Sequence, residues 1–427
     1  MSLALLLISL LLFLALRIPI AYSLGLSALT YFVVVRPQLT VVLPQRLFAG
    51  MDSYALIALP LFILMGQLMN ASGITARLIN FCLIFVGRFR GGLGLVNVAA
   101  SMLFGGISGS SASDTASIGS ILIPEMRSRG YPASFAAGIT VASSTMGMII
   151  PPSIPMVIYA VTAQESVGKL FLGGLIPGLL VGIVQLLLVW WISQSRDFPR
   201  ETRVFTSAEL RREILGSIYV LIMPLFVVGA VVGGFATATE SAGLGVLYAA
   251  IIGLFVTRHL TFAAFRDALI STAITSAKIM MIIAFSQVFI WVLAYERIPT
   301  AIAEQVTQLG LSPTSMMLLI AFIVLAAGTF IDVSPAILLL TPVFLPAVIK
   351  AGVSPILFGV VLVSGLAVGA CTPPVGNCLN VCSAVSGLRI GEIFRGASLF
   401  LLSNLLILVL IVLFPELVLT IPRLLID

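Results

Sequence analysis

Apolar runs of bilayer length follow one another along the whole chain, and no polar stretch between them is long enough to build a separate soluble domain. A transmembrane helix takes about 20 apolar residues. Inside lipid, every backbone amide and carbonyl must find its partner within the protein. Together these conditions call for an all-α polytopic membrane protein. Composition agrees, with 60% of the 427 residues hydrophobic and 9% charged, where a soluble chain carries roughly 25% charged residues. The first stretch, MSLALLLISLLLFLALRIPIAYSLGLSALTYFVVV, lacks a basic leader and a cleavage site, so it reads as a retained membrane segment. Residues 2–35 would reach about 50 Å at 1.5 Å per residue. That length predicts one tilted, broken helix or two short ones.

The densest polar run stands inside this apolar background. SGSSASDTASIGS, residues 108–120, holds six serines, a threonine and an aspartate. It has a twin. At a register of 222 residues, Gly106 meets Gly328, Pro124 meets Pro346, Gly130 meets Gly352 and Gly147 meets Gly369. Pro151–Pro152 then meets Pro373–Pro374. Each repeat sets a Gly-containing polar patch, GGISGSSASD (105–114) or GTFIDVSP (328–335), ahead of a Gly–Pro–Pro interruption, MGMIIPPSIP (146–155) or VGACTPPVGN (368–377). Proline lacks an amide donor and clashes with the preceding turn, so the pair breaks a helix. Broken backbone at membrane depth is tolerated only when buried in protein or lining a wet cavity. Two such breaks, each with a polar patch, mark the midplane binding site of a carrier. Ordinary kinks with serine-mediated helix packing explain either patch alone but not their recurrence in register.

Arginine and lysine near membrane ends mark the cytoplasmic side. Arg88 and Arg90 precede the first patch and Arg127 and Arg129 follow it, which makes 91–126 a re-entrant hairpin opening inward, its tip near SGSS. Segment 134–161 then crosses outward and 169–193 returns to the loop SQSRDFPRETRVFTSAELRRE, with five arginines. Crossings at 214–234, 241–257 and about 268–296 leave the second hairpin, 312–349, open to the outside beside Lys350. Segment 356–384 crosses back to Arg389 and Arg395. The count yields inverted-topology repeats. The expected organisation is N-terminal scaffold helices (1–90), first hairpin and broken helix (91–161), linking scaffold or arm helices (162–311), second hairpin and broken helix (312–384), and a C-terminal helix (385–427).

Ser, Thr and Asn oxygens with freed carbonyls suit a hard monovalent cation, while exposed helix N-termini favour a carboxylate. The expected sodium ligands are Ser108, Ser110, Ser111, Gly147, Ile150 and Pro152 in the first half. Gly328, Thr329, Asp332, Gly369 and Thr372 are expected in the second. Ser110, Ser111, Pro152, Thr372 and Asn377 are the expected substrate contacts. Neither patch holds a Lys or Arg, so amide dipoles and sodium are expected to neutralise an organic anion. Asp114 stands beside the tip with either a site or a packing role, Glu240 reads as a capping or interfacial residue, and Lys278 as a snorkelling one. Cys82, Cys371, Cys378 and Cys382 read as packing residues, leaving sodium as the only metal. The single histidine, His259, has no partner motif, no hydrolytic arrangement is present, and no GxxxxGK[ST] loop marks an ATPase. A carrier, not an enzyme, is expected. A channel or purely structural subunit fits less well, because paired hairpins do not make a continuous pore.

LFGGISGSSASDTASIGSILIPEMRSRGYPASFAAGITVASSTMGMIIPPSIPMVIYA, with GTFIDVSPAILLLTPVFLPA and GACTPPVGNCLN, resembles the large membrane subunit of tripartite ATP-independent periplasmic (TRAP) transporters over essentially the whole chain. The resemblance implies an elevator-type sodium symporter of the ion-transporter superfamily in the bacterial inner membrane. It also implies a separate small four-helix membrane subunit and a soluble periplasmic substrate-binding protein. Substrates in such a family include C4-dicarboxylates, sialic acid and other sugar or keto acids. The alternative is a stand-alone sodium–dicarboxylate or citrate symporter of the same superfamily, which needs no binding protein.

Overall fold

Helices in this chain end where glycine, proline or a small polar residue interrupts an apolar run. The computed structural model describes residues 2–196, 198–200, 206–301, 304 and 310–426. The first helices are α1 (Ser2–Ala15), α2 (Ile20–Val35), α3 (Val42–Met51), α4 (Ala58–Ala71) and α5 (Ile74–Val86). Residues 2–35 are thus two short helices, parted around Arg17 and Pro19. Next come α6 (Gly92–Ser108), α7 (Ser111–Ser128), α8 (Ala133–Ser144), α9 (Met146–Ile149) and α10 (Ile154–Ala163). Then follow α11 (Val167–Ser195), α12 (Ser207–Val232), α13 (Ala238–Ile251) and α14 (Phe262–Tyr295). The second half holds α15 (Pro313–Phe330), α16 (Val333–Lys350), α17 (Pro355–Gly369) and α18 (Asn377–Ser386). The chain closes with α19 (Ile390–Leu413) and α20 (Glu416–Leu425). Residues 385–427 therefore hold two helices where one was expected, because Pro415 cannot donate the amide that would continue α19. Part of the arginine-rich loop, residues 197 and 201–205, lies outside the described residues.

Nine stretches among the described residues are long and apolar enough to cross a membrane, so this is a multi-pass membrane protein. The 222-residue register survives in the helix boundaries. α7 runs from Ser111 to Ser128 and α16 from Val333 to Lys350, the same limits shifted by 222. α6 and α15 likewise end at Ser108 and Phe330, and α8 and α17 start at Ala133 and Pro355. α6 and α7 form one hairpin, turning at Gly109–Ser110; α15 and α16 form the other, turning at Ile331–Asp332. Behind each hairpin an apolar crossing is interrupted, at Ile150–Ser153 and at Ala370–Gly376. Both interruptions contain a cis Pro–Pro bond.

The two halves interlock. The second arm of each hairpin lies on the distal half-helix of the other half, α7 on α18 and α16 on α10. α8 packs on α19, and α17 on α11. Around this unit, α13 packs on α4, α12 on α5, and the long α14 runs across α2, α3, α4 and α16. Gly91 N donates to Pro199 O (3.2 Å) and Tyr131 Oη to the same carbonyl (3.4 Å), gathering three arginine-bearing connections at one end. The mouth of the second hairpin lies elsewhere: Tyr159 Oη at the far end of α10 donates to Pro355 O (2.6 Å). Glu240 is a capping residue, its Oε2 accepting from Thr237 N (2.8 Å) while Thr237 Oγ1 accepts from Glu240 N (3.2 Å).

Candidate cation and anion site

Glycine seats each hairpin against its break. A Cβ at Gly105 would stand 2.9 Å from Gly147 Cα, and one at Gly109 would stand 3.1 Å from Pro152 O. In the other half, a Cβ at Gly369 would meet Gly328 Cα and Leu325 O at 2.7 Å. A Cβ under 3.0 Å from backbone is essentially never found, which requires glycine at 105 and 369; at Gly109 the contact is tight and a φ of +61° favours glycine as well. The tips also satisfy freed backbone groups: Ile154 N donates to Gly109 O (3.4 Å) and Val375 N to Thr329 O (3.1 Å). That is the internal pairing membrane depth demands.

In the first half the approach traps an acid. Asp114 is fully buried, and a Cβ at Gly147 would overlap its carboxylate. Oδ1 accepts from the Ser108 hydroxyl, whose oxygen also accepts from Ser110 N (3.1 Å). Oδ2 has no hydrogen-bond partner among the described residues. A buried carboxylate oxygen without a donor is costly unless a cation or a proton completes it. Ser111 faces elsewhere: its Oγ pairs with Ser144 Oγ (2.8 Å) and Cys378 Sγ (2.9 Å), tying α7 to both broken crossings.

The second half is built from hydroxyls. Thr329 Oγ1 donates to Ala326 O and Thr372 Oγ1 to Val368 O, each at 2.8 Å, so both oxygens keep lone pairs for a cation. Asp332 stands at the N-terminus of α16, its Oδ1 accepting from Val333 N (2.9 Å) and from Asn377 Nδ2 (3.3 Å).

Between the tips lies a cavity of about 320 Å³. Ser108, Ser110, Asp332 and Asn377 line it, joined by Ser113 and Ser334. Gly147, Ile150, Gly328, Thr329, Gly369 and Thr372 do not line it, nor do Ser111 and Pro152. The structure thus brings the two tips and the two breaks together but holds Ser111, Pro152 and Thr372 off the cavity surface. Gln67 of α4 and Thr275 and Lys278 of α14 also border the cavity. Gln67 and Thr275 were missed from the sequence, and Lys278 was read there only as a snorkelling residue. The patches themselves carry no Lys or Arg, while Lys278 lines the same cavity from α14. The available signal was an ionisable residue in a long apolar helix, which is by default a candidate for function.

The four cysteines are buried; Cys378 also borders the cavity. His259 stays in its own loop, with Nδ1 2.7 Å from Thr257 O.

A family model described as tripartite ATP-independent periplasmic transporter, DctM component, matches residues 7–417. The C4-dicarboxylate TRAP transporter large permease protein DctM of Pseudomonas aeruginosa is 37% identical over 404 residues, covering 94% of each chain. The sialic acid large permease SiaM of Vibrio cholerae is 35% identical, covering 95% of each. The isethionate permease DctMQ of Oleidesulfovibrio alaskensis is 38% identical over 90% of this chain, which spans 60% of that longer protein. In fold, the chain is similar to the YdaH transporter of Alcanivorax borkumensis, with a TM-score of 0.64, 14% identity, and coverage of 88% of this chain and 87% of that one.

Proposed function

This chain belongs to the DctM component family of tripartite ATP-independent periplasmic transporters, and we propose that it is the sodium-coupled subunit importing an organic acid anion across the inner membrane. One observation carries the reading: a single cavity is walled by both hairpin tips and by residues at the edges of both helix breaks, Met148 and Ile154 in the first half and Ala370 and Asn377 in the second. Oxygen-rich pockets lie at these tips and breaks. One sodium ion is held by Ser108, Asp114 and the carbonyls around Gly147–Pro152. Another is held by Thr329, Thr372 and the carbonyls around Gly328 and Gly369. The anion occupies the cavity between them, against Ser110 and Asn377.

The named substrates of relatives, C4-dicarboxylates, sialic acid, 2,3-diketo-L-gulonate and isethionate, share an acid head and little else. The substrate here is an acid of this kind, delivered by a periplasmic binding protein to this chain and a small four-helix membrane subunit. Inverted repeats are supported by the shared helix limits and by hairpin mouths that adjoin different partners, Pro199 and Tyr159. The interlocked unit moves as an elevator against the helices around it. Each net charge carried inward gains about 2.3 kcal/mol per 100 mV.

The test is uptake in proteoliposomes, with and without a sodium gradient, the small subunit and the binding protein. Uptake is expected only when all are present. Robust sodium-driven uptake by this chain alone would assign it to stand-alone symporters instead.

A further inference from the structure

We propose that Lys278 is the charge partner of the substrate's acid head, a specificity-determining residue supplied by α14 from outside both repeats. This rests on the organic-acid reading above. Lys278 is exposed on α14 and lines the same cavity as the tips. It makes no ion pair or hydrogen bond with the described residues. Among the described residues no other lysine or arginine lines the cavity, and the only acid that does, Asp332, is engaged through Oδ1 with Val333 and Asn377.

An ammonium held at membrane depth faces a protein interior or a wet cavity and pairs with something there. Among the described residues the one acid of the cavity, Asp332, is engaged through Oδ1 with Val333 and Asn377 and forms no ion pair with this ammonium. The recess it faces, about 320 Å³, is of the size that takes a small organic molecule. Lysine is a compact point charge with three donors, suited to an acid group met end-on rather than in a planar fork. Apart from Asp332, the remaining polar wall, which includes Gln67, Thr275, Ser110 and Asn377, is neutral. One positive charge therefore anchors one acid head, and neutral groups read the rest of the molecule.

Because α14 packs on α2, α3 and α4 as well as α16, the lysine and the serines that meet the substrate belong to different parts of the fold. Its removal therefore weakens the anion without disturbing the sodium pockets. The experiment is isothermal titration of the purified full-length chain in saturating sodium. N-acetylneuraminate, 2,3-diketo-L-gulonate, succinate and isethionate are the probes, tested on wild type, Lys278→Gln and Lys278→Arg. At least one probe binds wild type. Lys278→Gln weakens it about tenfold to a hundredfold, and Lys278→Arg by no more than about threefold. The sodium concentration that half-stabilises each protein against heat stays the same in all three. Undiminished binding by Lys278→Gln overturns the proposal, as does a sodium midpoint that shifts with the anion affinity. If no probe binds wild type, the organic-acid reading itself falls, and the proposal with it.

Discussion

In the first half a serine, Ser110, stands at the hairpin tip and an aspartate, Asp114, lies one turn inside α7. In the second half the residues 222 positions later are Asp332 at the tip and Ala336 inside α16. The backbone plan is common to both, down to the helix limits and the glycine contacts, while the acid has moved by one turn. That turn changes its surroundings. Asp114 is sealed, with one oxygen unpartnered, whereas Asp332 borders the cavity and caps its helix. On the sodium reading proposed above, the position of the carboxylate makes the two places unequal: the first pocket would neutralise its cation internally, and the second would share its acid with the substrate's space.

The hardest test of that contrast is at the two break glycines. A methyl group at Gly369 would strike backbone, Gly328 Cα and Leu325 O, whereas one at Gly147 strikes a side chain, the Asp114 carboxylate. Gly369→Ala is therefore expected to abolish sodium-driven uptake, and Gly147→Ala to leave a residue of roughly a tenth, in keeping with overpacking costs of about 1–3 kcal/mol. Size-exclusion profiles check that both remain monodisperse. Wild-type uptake by either would show that the close approach is dispensable in that half.

The aspartates should separate next. Asp114→Asn removes the only charge in the first pocket and is expected to raise the sodium concentration for half-maximal uptake about tenfold or more, as loss of a charge-assisted contact does. Asp332→Asn keeps an acceptor for Val333 N and should raise it only about threefold. Equal shifts would erase the distinction between the pockets.

The smallest effects come from hydroxyls. Thr372→Val removes a free lone pair and should raise the sodium requirement a few-fold. Ser111→Ala breaks contacts to Ser144 and Cys378 and should cost about 0.5–1.5 kcal/mol of stability with an unchanged sodium curve. A sodium shift in Ser111→Ala without a loss of melting temperature would place its oxygen on an ion after all.

The hairpins and breaks were legible because glycine and proline act on the few residues around them. Local chemistry fixes where α7 and α16 begin, and the matching register makes the pattern visible twice. What the sequence could not convey is which way a side chain faces once helices distant in the chain are packed. Ser111 reads like Ser110 in a polar run, yet it turns into the interlocked core. Lys278 reads as a snorkelling cation, yet the packing of α14 aims it at a cavity whose other walls are hairpin tips. Gln185, Asn404 and Thr145 looked unremarkable in three separate apolar segments. Together they form a buried cluster, Gln185 Nε2 donating to Asn404 Oδ1 (2.8 Å) and Asn404 Nδ2 to Thr145 Oγ1 (3.0 Å). Each such contact depends on partners hundreds of residues apart, which no local pattern records.

The lodging of α7 against α18 also sets a timetable for making the protein. Ser111 meets Cys378 across a separation of 267 residues. At synthesis rates of 5–20 residues per second, roughly 13–50 s pass between their emergence from the ribosome. Through that interval the newborn first hairpin holds a serine-rich flank whose final neighbour does not yet exist. The insertion machinery must shelter it, or it must wait half-seated in the bilayer, until the last quarter of the chain arrives to close it in.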